Sequence, residues 1–300
     1  MGKTHESNIS FTRGGTQEVA RKKSWRFGTA VLFSVAVVTV GLLILPSAAL
    51  AADRLTDKEV DDLLASVEKS RSRFEAALDQ GLKNTVLQGP RGDVNTNEFF
   101  DDLQDQVERT RERFKKDYSA SSEVIALLGY ATRLEVWVQK QHAGFQGSTE
   151  WGPFASDLHR LAKAYNTTIP MPNGGIARRY NDKELIAAAA NVEKMCGPFR
   201  SELDASLRAK QGLSPANHQA TLAQVDTLTN HAHALNQSLA NKQKGVAEAD
   251  ALIRQALIIV DWISKNPLSA TTNVKWAPLR RELGKIAFAY EVNNRNLPVQ

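Results

Sequence analysis

The chain has 300 residues, 42% apolar and 24% charged, with only 10 Pro and 18 Gly, which excludes a disordered, collagen-like or multispan membrane chain. One cysteine, Cys196, excludes an intrachain disulfide framework. The formal +5 is unevenly placed: residues 1–51 carry six basic and two acidic side chains, the other 249 carry 32 and 31. A nearly neutral body has no general attraction for phosphate backbones, so no nucleic-acid partner is expected.

In chain order, the first element follows Arg26. An uncharged run, Phe27 to Leu45, is closed by Pro46 and then by Ser-Ala-Ala-Leu-Ala-Ala. A basic flank, an apolar stretch, a helix breaker and small residues at alternating positions are the grammar of a bacterial-type signal peptide. Ala49-Leu50-Ala51 suits small-x-small cleavage, with Ala52 as the mature start. A run of 19 apolar residues is also long enough to span a bilayer, so residues 1–51 read as a signal peptide or an N-terminal membrane anchor. In both cases the Lys/Arg cluster stays cytoplasmic and the rest is exported, to the periplasm or cell envelope. Residues 27–45 are then the only membrane contact, and only if uncleaved.

Residues 52–166 read as four amphipathic helices. The first opens with a capping box, Thr56-Asp-Lys-Glu59, and carries Val60, Leu64, Val67, Phe74, Leu78 and Leu82 at helical spacing, about 28 residues in all. The second presents Phe99, Phe100, Leu103, Val107, Phe114 and Tyr118, with acids early and bases late as the helix dipole favours. The third presents Val124, Leu127, Leu128, Ala131, Leu134 and Val138. The fourth opens at Trp151-Gly-Pro153 and buries Phe154, Leu158, Leu161 and Tyr165. No stretch alternates with period two long enough to predict a strand.

Thr167 to Tyr180, with two prolines and two glycines, reads as a linker whose Arg178 and Arg179 are solvated. Residues 181–300 then repeat the pattern. Comparing 56–166 with 181–291, a displacement of 125 without gaps, gives 27 identities in 111 positions. Chance at average composition gives about 7. The repeat predicts an all-α fold: a tandem duplication of an up-down-up-down four-helix bundle, eight main helices plus the N-terminal hydrophobic export helix. Gly197-Pro198 inside the fifth main helix predicts a kink or break.

Chemical motifs are sparse. The histidines fall at non-repeating positions, and no Glu-x-x-His or Cys-x-x-Cys-His occurs, so neither a metal nor a cofactor is expected. Cys196, on an inward stripe, reads as a buried inert thiol. Arg91-Gly-Asp93 spells an adhesion tripeptide but reads as a turn beside Gly89-Pro90. No nucleophile elbow or phosphate loop is present, and no catalytic residue is assigned. The recurring aromatics Trp137, Trp151, Tyr165, Trp262, Trp276 and Tyr290 are the candidate ligand-binding set, as stacking or cation-binding clefts. Their alternative role is to plug the ends of the core. The expectation is an exported, non-enzymatic helical binding or scaffold protein whose partner is a protein or envelope component. The alternative is a carrier of a small apolar ligand or haem in a bundle groove.

Overall fold

The computed structural model describes residues 51–300 except residue 91 and residues 173–175, 211–213, 293–296 and 298–300. These lie in one compact unit that runs from Ala48 to Gln300. The expected export helix, with its Phe27–Leu45 run, lies outside the described residues.

Among the described residues the chain is mostly helical, with nine helices and one hairpin. In the first half these are α1 (Asp57–Ala77), α2 (Gln80–Lys83), β1 (Val86–Gly89), β2 (Gly92–Asn95), α3 (Thr96–Asp117), α4 (Ser121–Gln139) and α5 (Ser148–Ala164). In the second they are α6 (Asp182–Arg208), α7 (Pro215–Ala240), α8 (Val246–Lys265) and α9 (Ala270–Ala289). The long helices meet in two rings: α1 and α4 each touch α3 and α5, while α6 and α8 each touch α7 and α9. Each ring encloses its own apolar cluster, rich in phenylalanine in the first and in leucine and alanine in the second. Burying one such large side chain contributes about 1.5–3 kcal/mol.

Both rings start on a reciprocal cap. The Thr56 hydroxyl accepts from the Glu59 N–H, and the Glu59 carboxylate accepts from the Thr56 N–H at 2.8 Å. Asn181 and Glu184 repeat the arrangement at 2.8 and 2.9 Å. Two donors left free by the helical ladder are satisfied each time.

Several local expectations are corrected. Four-residue strands are too short to show alternation, yet β1 and β2 pair antiparallel with Val86 opposite Asn95, and Leu87 is buried in the first core. The first helix stops at Ala77, because Asp79 caps α2 instead, its carboxylate accepting from the Leu82 N–H at 2.7 Å. Leu78 and Leu82 still reach the core, so the apolar spacing survives the break. The break expected at Gly197-Pro198 is absent: α6 runs through it, with both residues on the exposed face, where water can meet the carbonyl that proline leaves free. α5 begins at Ser148 rather than Trp151, its start set by Gly147 at φ 106°, and Pro153 sits inside on the exposed side. Tyr118 is half exposed, since α3 ends there in a left-handed residue that turns it off the buried stripe.

Candidate functional site

The six candidate aromatics do not converge on one place. Trp151 lies 5.3 Å from Phe74 and 5.9 Å from Phe154, ring centre to ring centre. Trp276 lies 5.2 Å from Phe199. Trp137 is buried in α4, while Trp262 is half-buried in α8 against the second core. Tyr165 and Tyr290, both fully buried, close α5 and α9. Their hydroxyls donate to the Ser119 and Lys244 carbonyls, which raises the worth of each ring by satisfying its polar tip. Burial pushes both phenols above the ordinary tyrosine range, and neither is a candidate base.

Cys196 is fully buried beside Phe199, and burial pushes its thiol up to about 11 against a hydrogen bond from Thr229. Such a thiol is a poor nucleophile at neutral pH. Among the described residues no three His, Cys, Asp or Glu side chains are grouped to hold a metal ion. His218 and His233 instead face Asp204 at 2.7 Å and Glu193 at 2.9 Å. Among the same residues no helix is long and apolar enough to cross a membrane.

The most organised polar constellation lies where the two rings meet. Asp57 and Asp182 are the first residues of α1 and α6, and the two helix starts face each other. The Asp57 carboxylate accepts from the Asp182 N–H at 3.1 Å, and the Asp182 carboxylate accepts from the Asp57 N–H at 3.1 Å. Each acid thus caps the other helix, where free N–H groups favour negative charge. Arg179 pairs with Asp57 at 2.6 Å, and Arg54 pairs with Asp182. Arg179 also donates to the Tyr118 and Leu55 carbonyls at 3.0 and 3.1 Å. Burial raises the Asp57 carboxyl above its ordinary value; Arg179 draws it down and Asp182 pushes it further up.

This corrects the reading of Arg179 as a solvated linker charge. It is 6% exposed, because a half-buried carboxylate and two carbonyls replace its water. The segments before α1 and α6 are structural arms. Ala51 joins the second ring's core and the Ala52 N–H bonds the Tyr290 carbonyl at 2.8 Å. Ala177 joins the first ring's core and the Arg178 N–H bonds the Tyr165 carbonyl at 2.9 Å. The pairing of Arg54 and Arg179 with aspartates went unnoticed in the sequence, yet a signal existed: Arg54-Leu-Thr-Asp57 and Arg179-Tyr-Asn-Asp182 stand 125 residues apart, with the two arginines just outside the compared window.

Two hollows flank this junction. A groove of about 1200 Å³ runs past the starts of α1 and α6 and is bordered by Lys58, Asp61, Lys116, Tyr118, Lys183 and Lys242. A smaller, half-open hollow of about 210 Å³ is lined by Arg54, Arg160, Lys163, Asn166, Arg179 and Tyr180, among others. None of the six candidate aromatics lines either hollow. No protein-family model, curated protein or solved structure matches this chain.

Proposed function

We propose that this is an exported, non-enzymatic helical binding or scaffold protein of the cell envelope, a tandem duplication of one four-helix unit. The observation that carries the binding reading is the groove of about 1200 Å³ at the junction. Its walls alternate lysines and acids with apolar Tyr118, Ile186 and Leu239, the mixed surface that suits a polypeptide or polymer. The ionic junction joins two helical surfaces into one body, so a partner can contact both without first paying to order them.

The duplication reading draws support from structural features at the same displacement of 125. Capping boxes recur at Thr56 and Asn181. Left-handed residues recur at Ala120 and Gly245, and at Asn166 and Glu291. The tyrosine-to-carbonyl bonds recur, as do the contacts of Trp151 with Phe74 and of Trp276 with Phe199. The export reading rests on the N-terminal grammar alone.

Cell fractionation and intact mass of protein from its own host test export, with loss of residues 1–51 or their retention in a membrane fraction expected. A cytoplasmic, unprocessed chain overturns it. Site-specific photocrosslinkers at Tyr118 and Lys242 test the groove, with Val274 on an exposed surface as control. One discrete adduct from the groove positions and none from the control is expected. Equal labelling from all three, or a coloured small ligand co-purifying with the protein, overturns the reading.

A further inference from the structure

We infer that the leader is cut between Ala49 and Leu50, so that the mature chain keeps Ala51. The inference rests on the export reading and sharpens it, from loss of residues 1–51 to loss of residues 1–49.

A leader is absent from the mature protein, so residues that the mature fold uses stand after the cut. Ala51 is such a residue. It is 8% exposed and belongs to the second core. Its N–H donates at 3.2 Å to the carboxylate of Asp250 in α8. The attachment continues along the arm: the Ala52 N–H bonds the Tyr290 carbonyl, Asp53 meets Lys244 at 3.1 Å, and Arg54 pairs with Asp182. A cut after Ala51 removes the first of these ties and the apolar contact that goes with it.

The arm before α6 gives an independent reading of the same position. Ala177, 1% exposed, fills the first core as Ala51 fills the second. The next N–H in each arm, that of Arg178 or Ala52, bonds the carbonyl of the tyrosine that closes its ring's last helix. The first arm is one residue longer between its alanine and its arginine. The arm before α6 lies inside the chain, where no leader is removed. Its buried alanine is therefore part of how an arm packs, and Ala51 has the same role.

Cleavage requires small residues at the first and third positions before the cut. From Pro46 to Asp53 two frames supply them, Ser47-Ala48-Ala49 and Ala49-Leu50-Ala51. Only the first leaves Ala51 in place. Hydrolysis of the Ala49–Leu50 amide by the host's signal peptidase consumes one water, leaving a carboxylate on Ala49 and an ammonium on Leu50. The new positive charge arises next in sequence to the N–H that the Asp250 carboxylate accepts, while the other oxygen of that carboxylate holds Arg254 at 2.8 Å.

The test is the intact mass of protein from its own host, for the wild type and two full-chain variants. The wild type should begin at Leu50. Ser47→Phe spoils only the proposed frame and should abolish that start. Ala51→Leu spoils only the other frame and should leave the Leu50 start unchanged. Any Ser47→Phe chain cut before Ala52 instead should melt about 2–4 °C below the wild type, having lost the ties of Ala51. A wild-type chain that begins at Ala52, or processing that Ala51→Leu blocks, overturns the inference and leaves export standing. So does an uncleaved chain held in the membrane fraction, and so does equal melting of the Leu50 and Ala52 forms. A cytoplasmic, unprocessed chain overturns the inference and the export reading together.

Discussion

The two rings solve one packing problem with different side chains. α1 carries Leu63 and Leu64 where α6 carries Ala188 and Ala189, all four buried. Arg71 and Cys196 also stand at matching positions, both buried. Arg71 is met by Glu75 at 2.7 Å, Gln104 at 2.9 Å and the Phe100 carbonyl at 3.3 Å, whereas Cys196 sits among apolar groups. The lesson is that core volume and polarity can be redistributed while caps and connections stay in place. What does not vary is the pair of Arg-Asp links at the junction.

The junction itself offers the largest test. Arg179→Ala should cost about 3–5 kcal/mol, because it strands a carboxylate that burial already disfavours. Arg54→Ala should cost less: the Asp182 side chain is 34% exposed and the Asp57 side chain 15%, so water can replace its partner. Chemical denaturation of both variants checks the order, and equal losses would refute it. Within the rings, Arg71→Leu should cost about 1 kcal/mol: it ends the bonds to Glu75 and the Phe100 carbonyl, while Gln104 is exposed and regains water. Cys196→Ala, which removes only a small apolar volume, should cost about 1 kcal/mol. Native Cys196 should resist alkylation at neutral pH until the protein is unfolded, as its burial and raised thiol value require.

Helix identity and the buried stripes were legible because spacing and caps are local properties. Val60, Val67 and Phe74 are all buried, as are Val192 and Phe199. Helix ends were less legible where two signals compete: Asp79 caps α2 within what reads as a continuous stripe. The hairpin escaped because β1 and β2 have only four residues each, and one buried Leu87 makes no pattern. The aromatics were easy to single out as recurrent, but recurrence alone does not distinguish lining from filling. The junction was hidden for another reason. Arg179 lies among prolines and glycines, and only the meeting of two helix starts gives it a half-buried partner.

Left-handed turns sharpen the comparison at smaller scale. Gly245 before α8 adopts φ 65°, and an added Cβ there would come within 2.7 Å of Leu235. At the matching place before α4, Ala120 adopts φ 50° with its Cβ present. Gly245→Ala should therefore destabilise by about 2 kcal/mol, the left-handed cost plus a clash. Ala120→Gly should stabilise by up to about 1 kcal/mol, strain relief offset by a freer unfolded chain. Melting temperatures moving in opposite directions check the pair.

The smallest difference is electrostatic. Glu59 faces Lys244 at 2.9 Å, while for Glu184 the position matching Lys244 is Ser119, an uncharged residue. Burial would raise the Glu59 carboxyl, but the Thr56 N–H and hydroxyl and the Lys244 ammonium outweigh it and hold it below its ordinary value. A carboxyl lowered by folding stabilises above its unfolded value, near 4.5, and loses that contribution as pH falls through the folded value. Asp57, whose carboxyl is raised, has the opposite sign: its charge weakens the fold above its folded value, and acid relieves it. Glu59→Gln should therefore destabilise at pH 7 by less than about 1 kcal/mol, since both partners are a third or more exposed. The same variant should approach wild-type stability at pH 3. Glu184→Gln keeps a cap acceptor in its amide oxygen and has no lysine to lose, so the salt-sensitive part of the loss should belong to Glu59 alone. Melting both variants at pH 7 and pH 3, in low and high salt, reads that difference directly, and equal salt sensitivity would remove Lys244 from the account.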